Sequence, residues 1–230
     1  VELMKFGQND EAVKFLKLAV KLNPKQENLW ITLAEAQFRS KKIDDSLVSL
    51  DKALGLNPKN AEVYFTKGSI YMNSKDFNKA IFMLKKGLLL DSENENAYFQ
   101  LGNAYVLLNN YKLALNTYRK VIKLNSDFWQ VINNEGLVLF ELDKKKEALL
   151  KFKLAAKISN NAEPKLALAI AMYSTQGKSI ESLNIAKNAL IDNPSYVLTK
   201  YQSDQLWGKK LQRSAQILFK NKEMKKAVSE

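Results

Sequence analysis

The sequence predicts an all-α fold built from tandem helical hairpins, and composition is the first of three observations that indicate it. The 230 residues include only 8 Gly and 4 Pro, while 46% of them are apolar and 26% are charged. Leu, Lys and Ala, which are good helix formers, are abundant, whereas helix breakers are scarce. This balance is typical of a helical chain that forms a core and not of a disordered one.

The second observation is that particular residue types recur every 34 positions. Repetition at a fixed period is the signature of a repeat protein, in which each repeat contributes one supersecondary element. The recurring sets are a small-residue column (Ala12, Ser46, Ala80, Ala114, Ala148, Ser182), a glycine column (Gly68, Gly102, Gly136), a large-residue column (Trp30, Tyr64, Tyr98, Ile132, Leu166), a second column (Tyr71, Tyr105, Leu139, Tyr173), and turn positions at Pro24, Pro58 and Pro194 with Ser92, Ser126 and Asn160 between them.

The third observation is helical spacing inside each repeat. Between 98 and 105, apolar and small residues recur at intervals of three and four, and the same spacing returns between 111 and 121 after a polar break at Asn109 and Asn110. Each repeat therefore reads as two helices and a turn. The glycine and small-residue columns fall where the two helices would cross, because small side chains let the backbones approach.

These columns resemble the tetratricopeptide repeat, whose signature combines an aromatic, Leu-Gly, Tyr, Ala, Phe, Ala and Pro at fixed offsets. The first full repeat departs from it with Ala34 and Gln37, and the fifth has Ile170 where Gly is expected. The resemblance implies a right-handed superhelical solenoid of helical hairpins in which the first helix of each repeat lines a concave groove. It is specific for the fold and says little about function.

The period divides the chain into a repeat array at 1–196 and a C-terminal segment at 197–230. The array comprises a half repeat at 1–26 and full repeats at 27–60, 61–94, 95–128, 129–162 and 163–196. Because the half repeat has no complete partner helix, we expect the parent chain to extend upstream of Val1. A solenoid needs a shield over its last core, so we expect 197–226 to form a capping helix, with Trp207 packed in the core, followed by a basic tail.

The composition excludes most catalytic and metal chemistry. The chain has no Cys and no His, so it lacks thiolate ligands, imidazole ligands and the usual general base at neutral pH. No cluster of the remaining residues stands out as an alternative. The sequence therefore predicts a protein that is not an enzyme and that needs no cofactor or metal.

The resemblance implies which residues line the groove, since these follow the large-residue column by one, five, eight and nine positions. They are Ile31, Glu35, Phe38 and Arg39; Phe65, Ser69, Met72 and Asn73; Phe99, Asn103, Val106 and Leu107; Asn133, Leu137, Phe140 and Glu141; and Ala167, Ala171, Ser174 and Thr175.

Phe65 and Phe99 are the predicted anchors of the groove, because each follows a Tyr that already fills the core position. Aromatic side chains supply buried area in an interface, and neighbouring Asn or Gln side chains can bond a peptide backbone. The alternative is that both Phe side chains pack between repeats. A carboxylate clamp for chaperone tails is not predicted in this stretch, since the equivalent positions include Ile31, Glu35 and Ser69 and offer no cation.

The function predicted from these observations is a protein-interaction scaffold or assembly factor that binds a partner polypeptide in the groove. The net charge of +12 leaves a second possibility open, a basic module that contacts nucleic acid or, through its basic tail, an anionic membrane surface. Nucleic acid is less favoured because Lys greatly outnumbers Arg. A third possibility is the targeting domain of a larger enzyme.

A weaker resemblance concerns the block from Ala162 to Leu218, with Glu163-Pro164, Tyr173 and the run at 205–208. It is similar to the end of some cyanobacterial and plastid repeat proteins, which implies a role near thylakoid or photosynthetic-complex assembly. The expected location is otherwise the cytoplasm or another reducing or neutral compartment.

Overall fold

The computed structural model describes residues 2–224. Within that range the chain consists of helices and short turns, without any β-strand. The end of the predicted basic tail, 225–230, lies outside the described residues.

The helices keep the 34-residue period that the sequence predicts. The first helices of the repeats are α3 (Glu27–Arg39), α5 (Ala61–Asn73), α7 (Glu95–Leu107), α9 (Trp129–Glu141) and α11 (Ala162–Gln176). The second helices are α2 (Asn9–Leu22), α4 (Ile43–Leu56), α6 (Phe77–Leu90), α8 (Tyr111–Leu124), α10 (Lys145–Ile158) and α12 (Ile180–Asp192). A short helix α1 (Glu2–Lys5) precedes α2 and ends in the same register as the first helices.

The C-terminal segment differs from the single capping helix that the sequence predicts. A 3₁₀ turn (Pro194–Val197) leads into it from the fifth repeat, and it contains helix α13 (Thr199–Asp204) and helix α14 (Lys209–Phe219). A turn separates α13 from α14, and within it Leu206 adopts a positive φ of 64°. That conformation ends α13 and redirects the chain. Trp207 is buried in the core as predicted.

The chain divides into an N-terminal unit, 1–104, and a C-terminal unit, 105–230, with the boundary inside α7. In the N-terminal unit, α3 packs on α4 and α5 packs on α6 as hairpins, while α2 packs on α3 and α4 on α5. In the C-terminal unit, α9 and α10 form one hairpin and α11 and α12 the next, and α14 packs against both α9 and α11.

Each hairpin turn places a residue with positive φ at the same point of the repeat. These residues, 34 positions apart, are Gly7, Lys41, Lys75, Asn109, Asp143 and Gly177. In the turns after α3 and α5, the next backbone N–H donates back into the helix, from Lys42 to the carbonyl of Gln37 at 2.8 Å and from Asp76 to that of Tyr71 at 2.9 Å. This pattern satisfies carbonyls that would otherwise be left open at the helix end.

The glycine and small-residue columns lie at the helix crossings, as the sequence predicts. A Cβ added at Gly68 would lie 2.8 Å from the side chain of Leu84, and one at Gly136 would lie 2.7 Å from Cε1 of Phe152. In the first repeat, where Ala34 replaces Gly, the hydroxyl of Ser46 donates to the Ala34 carbonyl at 2.7 Å. Small residues therefore recur because the crossing leaves no room for larger ones.

The proline and aromatic columns are also joined physically. The indole N–H of Trp30 donates to the carbonyl of Pro24 at 2.8 Å, and the hydroxyl of Tyr64 lies 3.3 Å from the carbonyl of Pro58. Each aromatic therefore ties its first helix to the turn that precedes it.

In the part of the chain that the structure describes, no helix combines the length and the apolar character needed to cross a bilayer.

Candidate functional site

The predicted groove residues of the N-terminal unit lie on corresponding sides of three successive first helices. We call this surface the first-helix face and define it by Ile31, Glu35, Phe38, Ser69, Met72, Asn73, Phe99 and Asn103. Glu35 and Asn73 are exposed and the other six are half-buried. The face therefore presents apolar, amide and acidic groups together.

The core beneath the first-helix face holds it in place. Ile31 and Phe38 pack against a cluster that includes Ala34, Val63 and Ile70, so the apolar side chains of α3 are supported by α5. Glu35 forms an ion pair with Arg39 one turn later, at 2.7 Å. Such supported apolar groups lose little freedom when a ligand covers them.

A polar contact joins the next two helices of the face. The hydroxyl of Ser69 lies 2.8 Å from Oε1 of Gln100, to which it can donate. It also lies 3.1 Å from the carbonyl of Phe65, one turn earlier in α5. This contact fixes α5 and α7 relative to each other at the level of the predicted groove.

Phe65 is not on the accessible face, and its prediction as a groove anchor is wrong. The side chain is 6% exposed, and its ring occupies the space where a Cβ at Gly87 would lie. Gly87 in α6 lets the Phe65 ring pack against the second helix of its own repeat, whereas the alternative considered from the sequence placed this ring between repeats. Phe99 differs, because it remains half-buried.

The groove residues predicted on α9 are buried. Asn133, Leu137 and Phe140 are at most 2% exposed, whereas Val106 on α7 is half-buried. Residues 131–140 are all buried, since α8, α10 and α14 all pack on α9. An external partner therefore cannot reach Asn133, Leu137 and Phe140 in this structure.

Glu141 anchors α14 to α9. Its Oε1 accepts the backbone N–H of Lys210 at 2.8 Å and that of Leu211 at 3.2 Å. These are amides of the first turn of α14, whose own N-cap residue, Gly208, has no side chain to accept them. Glu141 thus supplies from another helix the acceptor that Ser, Thr, Asp or Asn usually provides.

Glu163, at the start of α11, forms hydrogen bonds that connect α11 to α9 and to the segment before α14. Its Oε1 accepts from Nδ2 of Asn133 at 3.0 Å and from the indole N–H of Trp207 at 3.3 Å. Trp207 stacks on Tyr196 with ring centroids 5.3 Å apart. Burial raises the pKa of Glu163 to about 7, against the opposing effect of hydrogen bonds from Trp207, Asn133 and Tyr196.

A cavity of about 600 Å³ opens beside Glu163. Its walls combine the aromatic rings of Trp129, Tyr196 and Tyr201 with the ion pair of Lys165 and Asp192, whose charged atoms are 3.6 Å apart. Among residues 2–224 no group of three or more carboxylates is placed to hold a metal ion.

The roles of Glu141 and Glu163 were missed by the sequence analysis. Glu141 appeared only as a predicted groove position. One signal was available: α14 begins after Gly208 without a capping side chain, so its first amides need an acceptor from elsewhere. The sequence gives no indication of which residue supplies it.

Comparison with known proteins identifies the repeat. Models of the tetratricopeptide repeat match residues 61–94 and 95–128 individually and residues 3–64 together. These matches run without a gap from 3 to 128, which is more than half of the chain. No curated protein sequence matches the chain.

Several solved structures share the fold. MamA is 24% identical, with a TM-score of 0.64, over 68% of this chain and 92% of MamA. YrrB, a tetratricopeptide-repeat protein described as having an unusual peptide-binding site, is 22% identical with a TM-score of 0.65 over 84% and 100% of the two chains. PilF of Pseudomonas aeruginosa is 19% identical with a TM-score of 0.71 over 89% and 92%. At these identities the likeness shows the all-α solenoid fold alone, and with the repeat matches it places the chain in the tetratricopeptide-repeat family.

Proposed function

We propose that this protein is a non-catalytic interaction scaffold that binds a segment of a partner polypeptide on the first-helix face of its N-terminal unit. The observation that carries the proposal is the packing of α14 on α9 and α11 in the C-terminal unit. There, two first helices hold an amphipathic helix through buried apolar contacts, and Glu141, a predicted groove position on α9, accepts amide protons from it. The protein thus uses this kind of surface to hold a helical segment.

The chemistry of the first-helix face supports the same role. Ile31, Phe38, Met72 and Phe99 offer apolar area, and Met adapts its shape to irregular ligands. Asn73 and Asn103 carry amide groups suited to a peptide backbone, and exposed Glu35 has the same chemistry as the carboxylate that caps α14. YrrB, which shares the fold, is described as binding peptide.

The non-catalytic part of the proposal rests on composition and family. The chain has no His and no Cys, and repeats of this type serve as scaffolds in which function depends on the surface. The location of the protein, including the thylakoid association suggested by the weaker resemblance, stays a prediction.

The test places a photo-activated cross-linking residue at Asn73, on the first-helix face, and at Asn78, an exposed position in α6 of the same hairpin. Both versions are irradiated in a native lysate. The proposal expects a partner polypeptide to be cross-linked from position 73 and not from position 78. Cross-linking from position 73 should persist at raised salt, because apolar contacts resist screening.

A pair of charge variants completes the test. Met72→Lys places a charge on the first-helix face, and Phe82→Lys places the same charge at an exposed position of α6; both are made in the version that carries the cross-linking residue at position 73. Phe65 is left unchanged, because a Lys in its buried place would unfold the hairpin. Loss of the cross-linked partner with Met72→Lys alone supports the proposal. Equal cross-linking from positions 73 and 78, or equal loss with both charge variants, would overturn it.

A further inference from the structure

The positive charge of the protein is concentrated on two helices. Together α8 and α10 carry nine basic residues and one acidic residue, a net charge of +8 out of the +12 of the whole chain. The other second helices differ: α2, α4 and α6 carry seven basic and five acidic residues between them, and α12 carries one basic and two acidic residues. Random solvation of outer helix faces would spread the charge more evenly.

A buried carboxylate sets α8 and α10 beside each other. Glu135 of α9 is 2% exposed, and each of its two carboxylate oxygens forms an ion pair with one neighbouring helix. One pairs with Nε of Arg119 in α8 at 3.4 Å and the other with Nζ of Lys151 in α10 at 2.7 Å. Both helices also pack on α9. Within the C-terminal unit α8 and α10 therefore both lie on α9 and line one cleft, and we call their exposed sides the α8–α10 surface.

The α8–α10 surface also carries exposed leucines. Leu113 and Leu124 of α8 and Leu150 and Leu154 of α10 are all exposed, and Leu150 reaches 68%. Leu150 also borders a cleft of about 420 Å³ that is lined by Ile122 and Leu139 and edged by Lys123. Single leucines among flexible lysines are the composition of surfaces that rest in the headgroup region of a membrane, where lysine stems lie along the apolar part and their charges reach the phosphates.

The residue types on the α8–α10 surface favour a lipid surface over nucleic acid. Two of the three aromatic side chains on these helices, Tyr118 and Phe152, are fully buried, so they cannot stack on bases. The single Arg, Arg119, is already engaged by Glu135. The other basic residues are eight lysines, of which Lys151 also pairs with Glu135, and lysines act as point charges that attract an anionic bilayer without requiring fixed geometry.

We propose that the α8–α10 surface docks the protein on an anionic phospholipid membrane. Lysines of both helices pair with lipid phosphates, and the exposed leucines enter the headgroup boundary. This role goes beyond partner binding on the first-helix face and uses different residues. It also differs from the membrane contact that the sequence analysis assigned to the basic tail, of which 225–230 lie outside the described residues.

The experiment measures co-sedimentation of the whole chain with vesicles of phosphatidylcholine alone and with vesicles that also contain phosphatidylglycerol. The test variant reverses four exposed cations of the surface (Lys112→Glu, Lys123→Glu, Lys153→Glu, Lys157→Glu). The control reverses four exposed cations of the N-terminal unit (Lys21→Glu, Lys25→Glu, Lys52→Glu, Lys59→Glu) and so has the same net charge. Circular dichroism verifies that both remain folded.

The proposal expects binding to anionic vesicles only, reduced more than about 100-fold in the test variant and much less in the control. Leu150→Ser should weaken binding several-fold without changing the charge. Equal loss in test and control variants would show nonspecific attraction by net charge and would overturn the proposal. Failure of the wild type to bind anionic vesicles, together with binding to an acidic peptide or an oligonucleotide, would also overturn it and assign the surface to that partner.

Discussion

The indole N–H of Trp207 donates to Oε1 of Glu163 across 3.3 Å, and this bond ties the segment that leads into α14 to the first turn of α11. Asn133 of α9 donates to the same oxygen at 3.0 Å. A single carboxyl group thus links α9, α11 and the segment that covers them. Because burial raises the pKa of Glu163 to about 7, the link titrates near neutral pH.

The first prediction is a pH dependence of stability that Glu163 controls. Since its pKa rises from 4.5 to about 7 on folding, the folded protein keeps a proton in this window that the unfolded chain releases. The contribution of Glu163 to the free energy of unfolding is therefore present at low pH, falls as the pH rises towards 7, and is constant above that value. The full change is roughly 3 kcal/mol at most.

Glu163→Gln keeps the shape of the side chain and removes the titration. The free energy of unfolding in urea is measured for both proteins from about pH 5 to about pH 8. As the pH rises, the free energy of unfolding of the variant should increase relative to that of the wild type by up to roughly 3 kcal/mol. Other titrating groups cancel in this difference. A difference that does not change with pH would contradict the prediction.

The second prediction concerns the cap that Glu141 provides for α14. Glu141→Ala removes the acceptor for two amides and should lower the free energy of unfolding by about 0.5–2 kcal/mol. Hydrogen exchange should become faster in the amides of α14, because the helix is released from α9. Glu147→Ala is the control, since Glu147 is exposed and pairs with the exposed Lys144 at 3.1 Å; this substitution should cost less than about 1 kcal/mol. Unchanged exchange in α14 would refute the role of Glu141.

The third prediction compares two glycines in second helices. A methyl group at Gly87 would overlap the buried ring of Phe65, so Gly87→Ala should destabilise the protein by about 1–3 kcal/mol. Gly55 lies in α4 with nothing within 4 Å of an added Cβ. Gly55→Ala should therefore stabilise it by about 0.5–1 kcal/mol through the better helix propensity of Ala. Thermal unfolding of both variants measures this, and a similar sign for both would contradict the packing of Phe65 on Gly87.

The fourth prediction uses the turns between the paired helices. Lys75 has a φ of 61°, which strains a side chain that carries a Cβ, whereas Gly adopts this conformation freely. Lys75→Gly should therefore raise the free energy of unfolding by about 0.5–1 kcal/mol. Lys59→Gly is the control: it also removes a cation from a turn, but Lys59 does not have a positive φ, so this substitution should not stabilise the protein. Urea unfolding of both variants tests the strain, and no gain from Lys75→Gly would argue against it.

The sequence by itself determined the helical hairpins and the places where they cross. Periods of 34 and of three to four residues specify local helices and short turns, and a small residue such as Ala80 or Gly136 marks the one point where two backbones approach. These signals are readable because each depends on residues that are close in sequence or repeated in every hairpin.

Only the tertiary structure decided which sides of the first helices are accessible. Phe65 is buried because Gly87 leaves room for its ring, and Asn133, Leu137 and Phe140 are buried because α9 is enclosed by α8, α10 and α14. Likewise, Lys41 and Lys75 have positive φ because the hairpin geometry imposes it, against the intrinsic preference of Lys. The contact of Glu141 with Lys210 joins residues 69 positions apart, and such a pairing depends on how the whole unit packs, which no local or periodic pattern encodes.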